Sequence, residues 1–133
     1  MPIELEMVLR ILLAIVLGAI IGFQRGKAEK PAGFRDIILI CAGSALFTVV
    51  SIYGFDAVDQ ARVAAGIVTG IGFLGAGAII RRGESAVVKG MTTAATVWIA
   101  AGIGMAAGTG LYIIASVTTL MVLIVLLLPR RSA

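Results

Sequence analysis

Residues Ala61 to Ile80 read ARVAAGIVTGIGFLGAGAII, an apolar run long enough to cross a bilayer and punctuated by Gly66, Gly70, Gly72, Gly75 and Gly77. In a water-soluble helix each interior glycine costs about 1 kcal/mol relative to alanine. In lipid the same small residues let helix backbones approach closely and gain packing. The run is therefore read as a transmembrane helix and its glycines as helix-packing residues. At about 100° per residue, Gly66, Gly70 and Gly77 share one face, interrupted by Phe73, while Gly72 and Gly75 fall nearly opposite. Thinning on two faces predicts close neighbours on both, which would put this helix near the centre of a bundle.

The rest of the chain extends the same reading. It has 133 residues, 60% of them hydrophobic, and a mean hydropathy of +1.12, far from a soluble composition. At roughly 20 residues per span, that length allows about five helices with short connections. Five apolar runs can be marked: Leu5 to Phe23, Ile37 to Tyr53, Arg62 to Ile80, Met91 to Ala107 and Leu111 to Leu128. The expected fold is an all-α integral membrane protein, a compact bundle of five transmembrane helices forming one domain over residues 1–133, with no soluble C-terminal domain. Glu4 and Glu6 stand where a secretory signal would carry lysine or arginine, so the first span is expected to be retained.

Sidedness follows from the basic residues. Alternate breaks between spans lie on one side, which collects Arg25, Lys27, Lys30, Arg35, Arg81, Arg82, Lys89, Arg130 and Arg131 against Arg10 and Arg62 on the other. Nine against two predicts the N-terminus outside and the C-terminus inside. The net charge of +4 is then a topology signal and an attraction to anionic lipid, and no nucleic-acid partner is expected. Small residues recur elsewhere at four-residue spacing, as Ala14, Gly18 and Gly22 on the first span and Gly104 and Gly108 at the end of the fourth. Gly108-Thr109-Gly110 reads as a tight turn. The fifth span is bulky and is expected nearer the outside.

Polar groups within or at the edge of a membrane are costly, which makes each a functional candidate. Arg10 lies about one turn into the first span; Asp59 and Arg62 stand at the start of the third, on the outer side with Asp56. Gln24, Arg25, Arg35 and Asp36 bracket the first inner loop, and Thr92 and Thr93 open the fourth span beside Thr96. Each can be read as an interfacial anchor or as part of a polar cluster binding an ion, a lipid headgroup or a partner protein. The threonines can line a polar path or bond carbonyls one turn back. Cys41, the single cysteine, sits in an apolar run and is expected to pack as a small hydrophobe.

Several chemistries find no support. No carboxylate stands in the middle of a span, so a divalent cation would lack the oxygen ligands it needs and no metal site is expected. Gly70-Ile-Gly72-Phe-Leu-Gly75 matches the dinucleotide fingerprint G-x-G-x-x-G, but that motif needs a preceding strand and a helix start. There is no histidine, and no nucleophile is paired with a base. No enzyme and no cofactor are expected.

The chain resembles the membrane domain of the MgtC/SapB family over nearly its whole length. The resemblance is carried by RILLAIVLGAIIGFQR at Arg10 to Arg25, AGFRDIILICAGSALF at Ala32 to Phe47, DQARVAAGIVTGIGFLGAGAII at Asp59 to Ile80 and VKGMTTAATVWIAAGIGMAAGTGLY at Val88 to Tyr112. It implies a multi-pass protein of the bacterial inner membrane, linked to magnesium homeostasis or stress adaptation and, in pathogens, to virulence. It further implies a non-enzymatic regulator of other membrane machines, such as the rotary ATP synthase or a cation transporter. Arg10, Arg25, Arg35, Asp59, Arg62 and the Gly70 to Gly77 run match the family pattern in place. Gln24-Arg25 stands where the family commonly has Glu-Arg, and Arg35-Asp36 where it has Arg-Thr, as though a carboxylate had moved within one inner-side network. The end at Ala133 favours comparison with the shorter SapB-like members. A homodimer formed through glycine-rich faces is expected, with lipid around it; the competing reading is a small oligomeric transporter or channel for a cation or other solute.

Overall fold

The computed structural model describes residues 2–30, 32–55, 60–80 and 90–129. They form five helices in chain order: α1 (Ile3–Lys27), α2 (Phe34–Tyr53), α3 (Ala61–Ile80), α4 (Met91–Gly108) and α5 (Tyr112–Leu126). The apolar runs therefore become helices within a few residues of their expected ends. Among the described residues, α1, α2 and α4 are long and apolar enough to cross a membrane, while the apolar stretches Ala61–Gly77 and Tyr112–Leu126 are shorter.

The outside of the bundle is as greasy as its interior. Leu12, Leu39, Trp98, Ile113 and Leu120 are all exposed, and Phe73 is 80% exposed. A monomer in water would not carry apolar surface on this scale; hydrocarbon accepts it at no cost. This is the surface of a membrane protein.

The centre belongs to α4, which touches each of the other four helices. Its Val97, Ala100, Ile103 and Ala107 meet Ala14, Leu17 and Ile21 of α1 and Ile37, Cys41 and Ala45 of α2 in one continuous core. Small residues make this closeness possible. A Cβ built on Gly22 would come within 2.7 Å of the Phe34 carbonyl oxygen, and one on Gly18 within 3.0 Å of the Cys41 Cβ. On the other side of α2, a Cβ on Gly104 would run into the Cys41 carbonyl oxygen, and one on Gly108 would stand 2.8 Å from the Ala45 oxygen. The helix α2 is thus gripped between two glycine faces. Cys41 lies at the junction, fully buried, its Sγ donating to the Ala100 carbonyl at 3.3 Å. It packs as a small hydrophobe, as its sequence setting suggests.

The expected central place of α3 is overturned. This helix leans on α4, only grazes α2 and touches neither α1 nor α5 among the described residues. Gly75 alone of its five glycines meets a neighbour, Ala94, while Gly66, Gly70, Gly72 and Gly77 have nothing within 4 Å of a built Cβ. Glycine spacing on two faces records where a backbone can be approached, and within one chain only one approach is used. The fifth helix does lie outside, buried only at Ala115 and Thr119.

Candidate functional site

Two buried arginines join α1 to the two ends of α4. At the end holding the chain's N-terminus, Arg10 is 8% exposed. Its Nη1 donates to the Gly108 carbonyl at 3.1 Å, and its Nη2 to Glu6 Oε1 at 3.3 Å, forming an i, i+4 ion pair on α1. The guanidinium also lies over the Tyr53 ring, 5.3 Å from its centroid, within range of a cation–π attraction. Tyr112 donates to the same Glu6 oxygen at 3.5 Å. One guanidinium thereby ties together the ends of α1, α2, α4 and α5.

Local folding explains why a carbonyl is waiting there. The helix α4 ends in a Schellman turn: Gly110 adopts φ +87, its N–H bonds to the Ala107 oxygen and that of Leu111 to the Ala106 oxygen. The tight turn read at Gly108-Thr109-Gly110 is this motif. Gly108 O is one of the terminal carbonyls a helix cannot satisfy internally, and a cation there also meets the negative end of the helix dipole. Gly110 gives the guanidinium its room, since a Cβ at that position would stand 3.1 Å from Arg10 Nη2.

At the opposite end Arg25, 2% exposed, donates from Nη2 to the Thr93 hydroxyl at 2.8 Å. Arg10 and Arg25 are separated by 15 positions on α1, and Thr93 and Gly108 by 15 on the antiparallel α4. Both rungs therefore lie about 22 Å apart along the axis, less than the roughly 30 Å of a hydrocarbon core. Protein partners must replace water around the guanidinium groups, which is what these bonds do.

The other sequence candidates fall into place around this frame or outside it. Thr96 donates to the Thr92 carbonyl at 2.7 Å, the back-bond expected of a helical threonine, while Thr92 itself is exposed. Thr93, by contrast, belongs to the Arg25 rung. Asp36 is exposed and accepts from the Gly33 N–H at 3.2 Å, closing the first turn of α2 where a carboxylate also suits the helix dipole. This bond serves the start of its own helix. Gln24 is half-buried, and its Oε1 is buried without a hydrogen-bond partner among the described residues. Arg35 and Arg62 are exposed at the first turns of α2 and α3. Asp59, Asp56 and the basic residues Arg81, Arg82, Lys89, Arg130 and Arg131 lie outside the described residues.

Glu6, Tyr53 and Tyr112 were not singled out in the sequence. Glu6 carried a usable signal, standing four residues before Arg10 in the favourable acid-then-base order. The tyrosines carried none, because only the packing of α2 and α5 brings them to α1. No group of three or more metal-ligating side chains occurs among the described residues.

Between α2 and α3 runs an apolar groove of about 570 Å³, floored by Gly43, Gly66 and Gly70 and walled by Leu39, Phe47 and Leu74. A smaller cavity of about 200 Å³ near Thr48, Ser51, Gln60 and Thr109 separates α2, α3 and α4 at the Arg10 end. Ser51 partly closes it by donating to the Gln60 carbonyl at 3.2 Å.

Comparison with known proteins agrees with this architecture in extent. YhiD of Escherichia coli K12, described as a putative magnesium transporter, is 46% identical over 129 residues, covering 89% of this chain and 59% of its own length. Protein MgtC of Salmonella typhimurium is 41% identical over 126 residues, covering 95% of this chain and 53% of its own. Protein SrpB of Synechococcus elongatus is 40% identical over 129 residues, covering 88% of this chain and 71% of its own. The chain thus spans little more than half the length of YhiD and MgtC. No solved structure matches it. The MgtC family model covers residues 11–133, from the residue after the first arginine through the glycine-rich α3 to the end of the chain, and the chain belongs to the MgtC family.

Proposed function

We propose that this protein is a non-enzymatic regulator in a bacterial inner membrane, crossing it five times with its N-terminus outside, and that it serves magnesium homeostasis or stress adaptation through contact with other membrane proteins. The link to magnesium comes from its relatives: YhiD is described as a putative magnesium transporter. The observation that carries the reading is the division of labour among the helices. Arg10 through both Nη atoms and Arg25 through Nη2 donate to carbonyl, carboxylate and hydroxyl groups that hold the bundle together. The face of α3 bearing Gly66 and Gly70 opens on the apolar groove toward α2 and, among the described residues, has nothing within 4 Å of a built Cβ. In lipid such a face gains from close approach of another helix. A second copy of this chain is the first partner to test, followed by a cation transporter or the rotary ATP synthase.

The name of YhiD supports a second reading, a small oligomeric transporter. Proteoliposomes holding inserted protein, compared with empty vesicles and with Asp59→Asn, separate the two. The regulator admits no more magnesium than empty vesicles do. Influx that disappears with Asp59→Asn would replace it with the transporter.

A further inference from the structure

A second groove, of about 720 Å³, runs down the lipid-facing side between the latter half of α1 and the end of α5. The fold explains its position. Ala115 and Thr119 hold α5 against the bundle, the hydroxyl of Thr119 being turned back to its own helix at the Ala115 carbonyl, 2.8 Å away. Beyond that point no residue of α5 is fully buried: Val122 and Leu126 still pack on the core, while Leu123 and Leu127 line the groove. Val16, Ile20 and Phe23 form one wall and Leu123 and Leu127 the other, with Lys27 at the mouth.

Its dimensions and chemistry match one molecule. From Val16 to Lys27 is 11 residues, about 16 Å of helix, close to half of a roughly 30 Å hydrocarbon core. The apolar walls therefore cover the depth of one leaflet. At the headgroup end the groove changes from hydrocarbon to charge, with the exposed Lys27 lining it and Lys30 and Arg35 on the same end of the bundle. Gln24 also lines that mouth. Its volume lies within the roughly 300–1,000 Å³ typical of ligand sites.

We infer that this groove is a binding site for one anionic phospholipid, an acyl chain lying between α1 and α5 and the phosphate paired with the Lys27 ammonium. Lipid in general wets every outer face of the protein; this position selects by charge, because a cation stands at headgroup depth directly above an acyl-sized channel. The site shares no residue with the Arg10 and Arg25 rungs or with the α3 face, so it stands or falls independently of the proposed function.

The test is native mass spectrometry of the full chain released from nanodiscs containing equal amounts of phosphatidylglycerol and phosphatidylcholine. One phosphatidylglycerol should be retained in preference to phosphatidylcholine. Lys27→Gln should lower that preference about fivefold, the worth of one basic contact near a membrane surface, whereas Lys30→Gln, outside the groove, should lower it by clearly less. Ala19→Phe, which fills the channel, should reduce retention of both lipids at this site. Should Ala19→Phe fail to fold, Lys27→Gln still decides, since its side chain is exposed. Equal retention of the two lipids by the unaltered chain, or an unchanged preference in Lys27→Gln, would overturn the assignment.

Discussion

Four glycines of α1 and α4 and four of α3 look alike in sequence and behave oppositely in the fold. Gly18, Gly22, Gly104 and Gly108 are pressed against α2, each so close that an added methyl would meet backbone or Cβ atoms at 3.0 Å or less. Gly66, Gly70, Gly72 and Gly77 face open space. The first set is consumed in building the monomer. The second permits a close approach that the described residues do not use, at a cost in helix propensity that nothing among them repays. A small-residue stripe thus states that a helix can be approached, and only the packing of the other helices states whether its own chain does so.

Substitution at one residue of each set should separate them most sharply. Gly104→Leu drives a side chain into the Cys41 carbonyl and the Ser44 Cβ at the tightest point of the bundle. Overpacking of this kind costs about 3 kcal/mol or more, and unfolding in mild detergent followed by far-UV circular dichroism should show a protein that is unfolded or nearly so. Gly70→Leu in the same assay should move stability by no more than about 0.5 kcal/mol, as at an open position, while weakening self-association measured by fluorescence transfer between labelled copies. Equal losses of stability at the two positions would mean that the α3 face is already closed within the monomer.

The arginine rungs offer the next largest effect. Arg10→Leu leaves the Gly108 carbonyl without its side-chain donor and the Glu6 carboxylate with Tyr112 in place of two donors, and hydrogen bonds to charged groups are worth about 1.5–3 kcal/mol. A loss of about 2 kcal/mol is expected in the same unfolding assay. Arg10→Lys should recover less than half of it, because an ammonium cannot present the planar fork that reaches Gly108 and Glu6 together while lying over Tyr53. Full recovery by lysine would reduce Arg10 to a point charge at a helix end.

These cases also show what could be read from the chain alone. Hydropathy located all five helices, because a span must satisfy every backbone group internally and therefore declares itself as one long apolar run. The depth of Arg10 in such a run marked it as a residue in need of partners. Glu6 was legible as one of them through its i, i+4 spacing. Tyr53, Tyr112 and the Gly108 carbonyl were not, being brought together by helices far apart in sequence, and neither was the pairing of Arg25 with Thr93 across 68 positions. Asp36, whose position beside Arg35 suggested a network, also meets a demand nearer by, the start of its own helix.

The smallest expected effect sets two helix ends against each other. Both α1 and α4 finish in Schellman turns, with Glu29 N–H bonded to the Gly26 oxygen and Lys30 N–H to the Arg25 oxygen in the first, as Gly110 and Leu111 bond in the second. The left-handed position is held by glycine in one, Gly110 at φ +87, and by glutamate in the other, Glu29 at φ 56. A side chain there costs about 1–2 kcal/mol, partly offset because glycine loses about 0.5–1 kcal/mol more backbone entropy on folding. Glu29→Gly should therefore stabilise the protein by about 0.5 kcal/mol. Gly110→Ala should destabilise it by more than that, since the added methyl incurs the left-handed strain and also presses on Arg10 Nη2. If Glu29→Gly proved destabilising, the glutamate would be making an interaction that outweighs its strain, and the end of α1 would rest on that side chain as the end of α4 rests on Arg10.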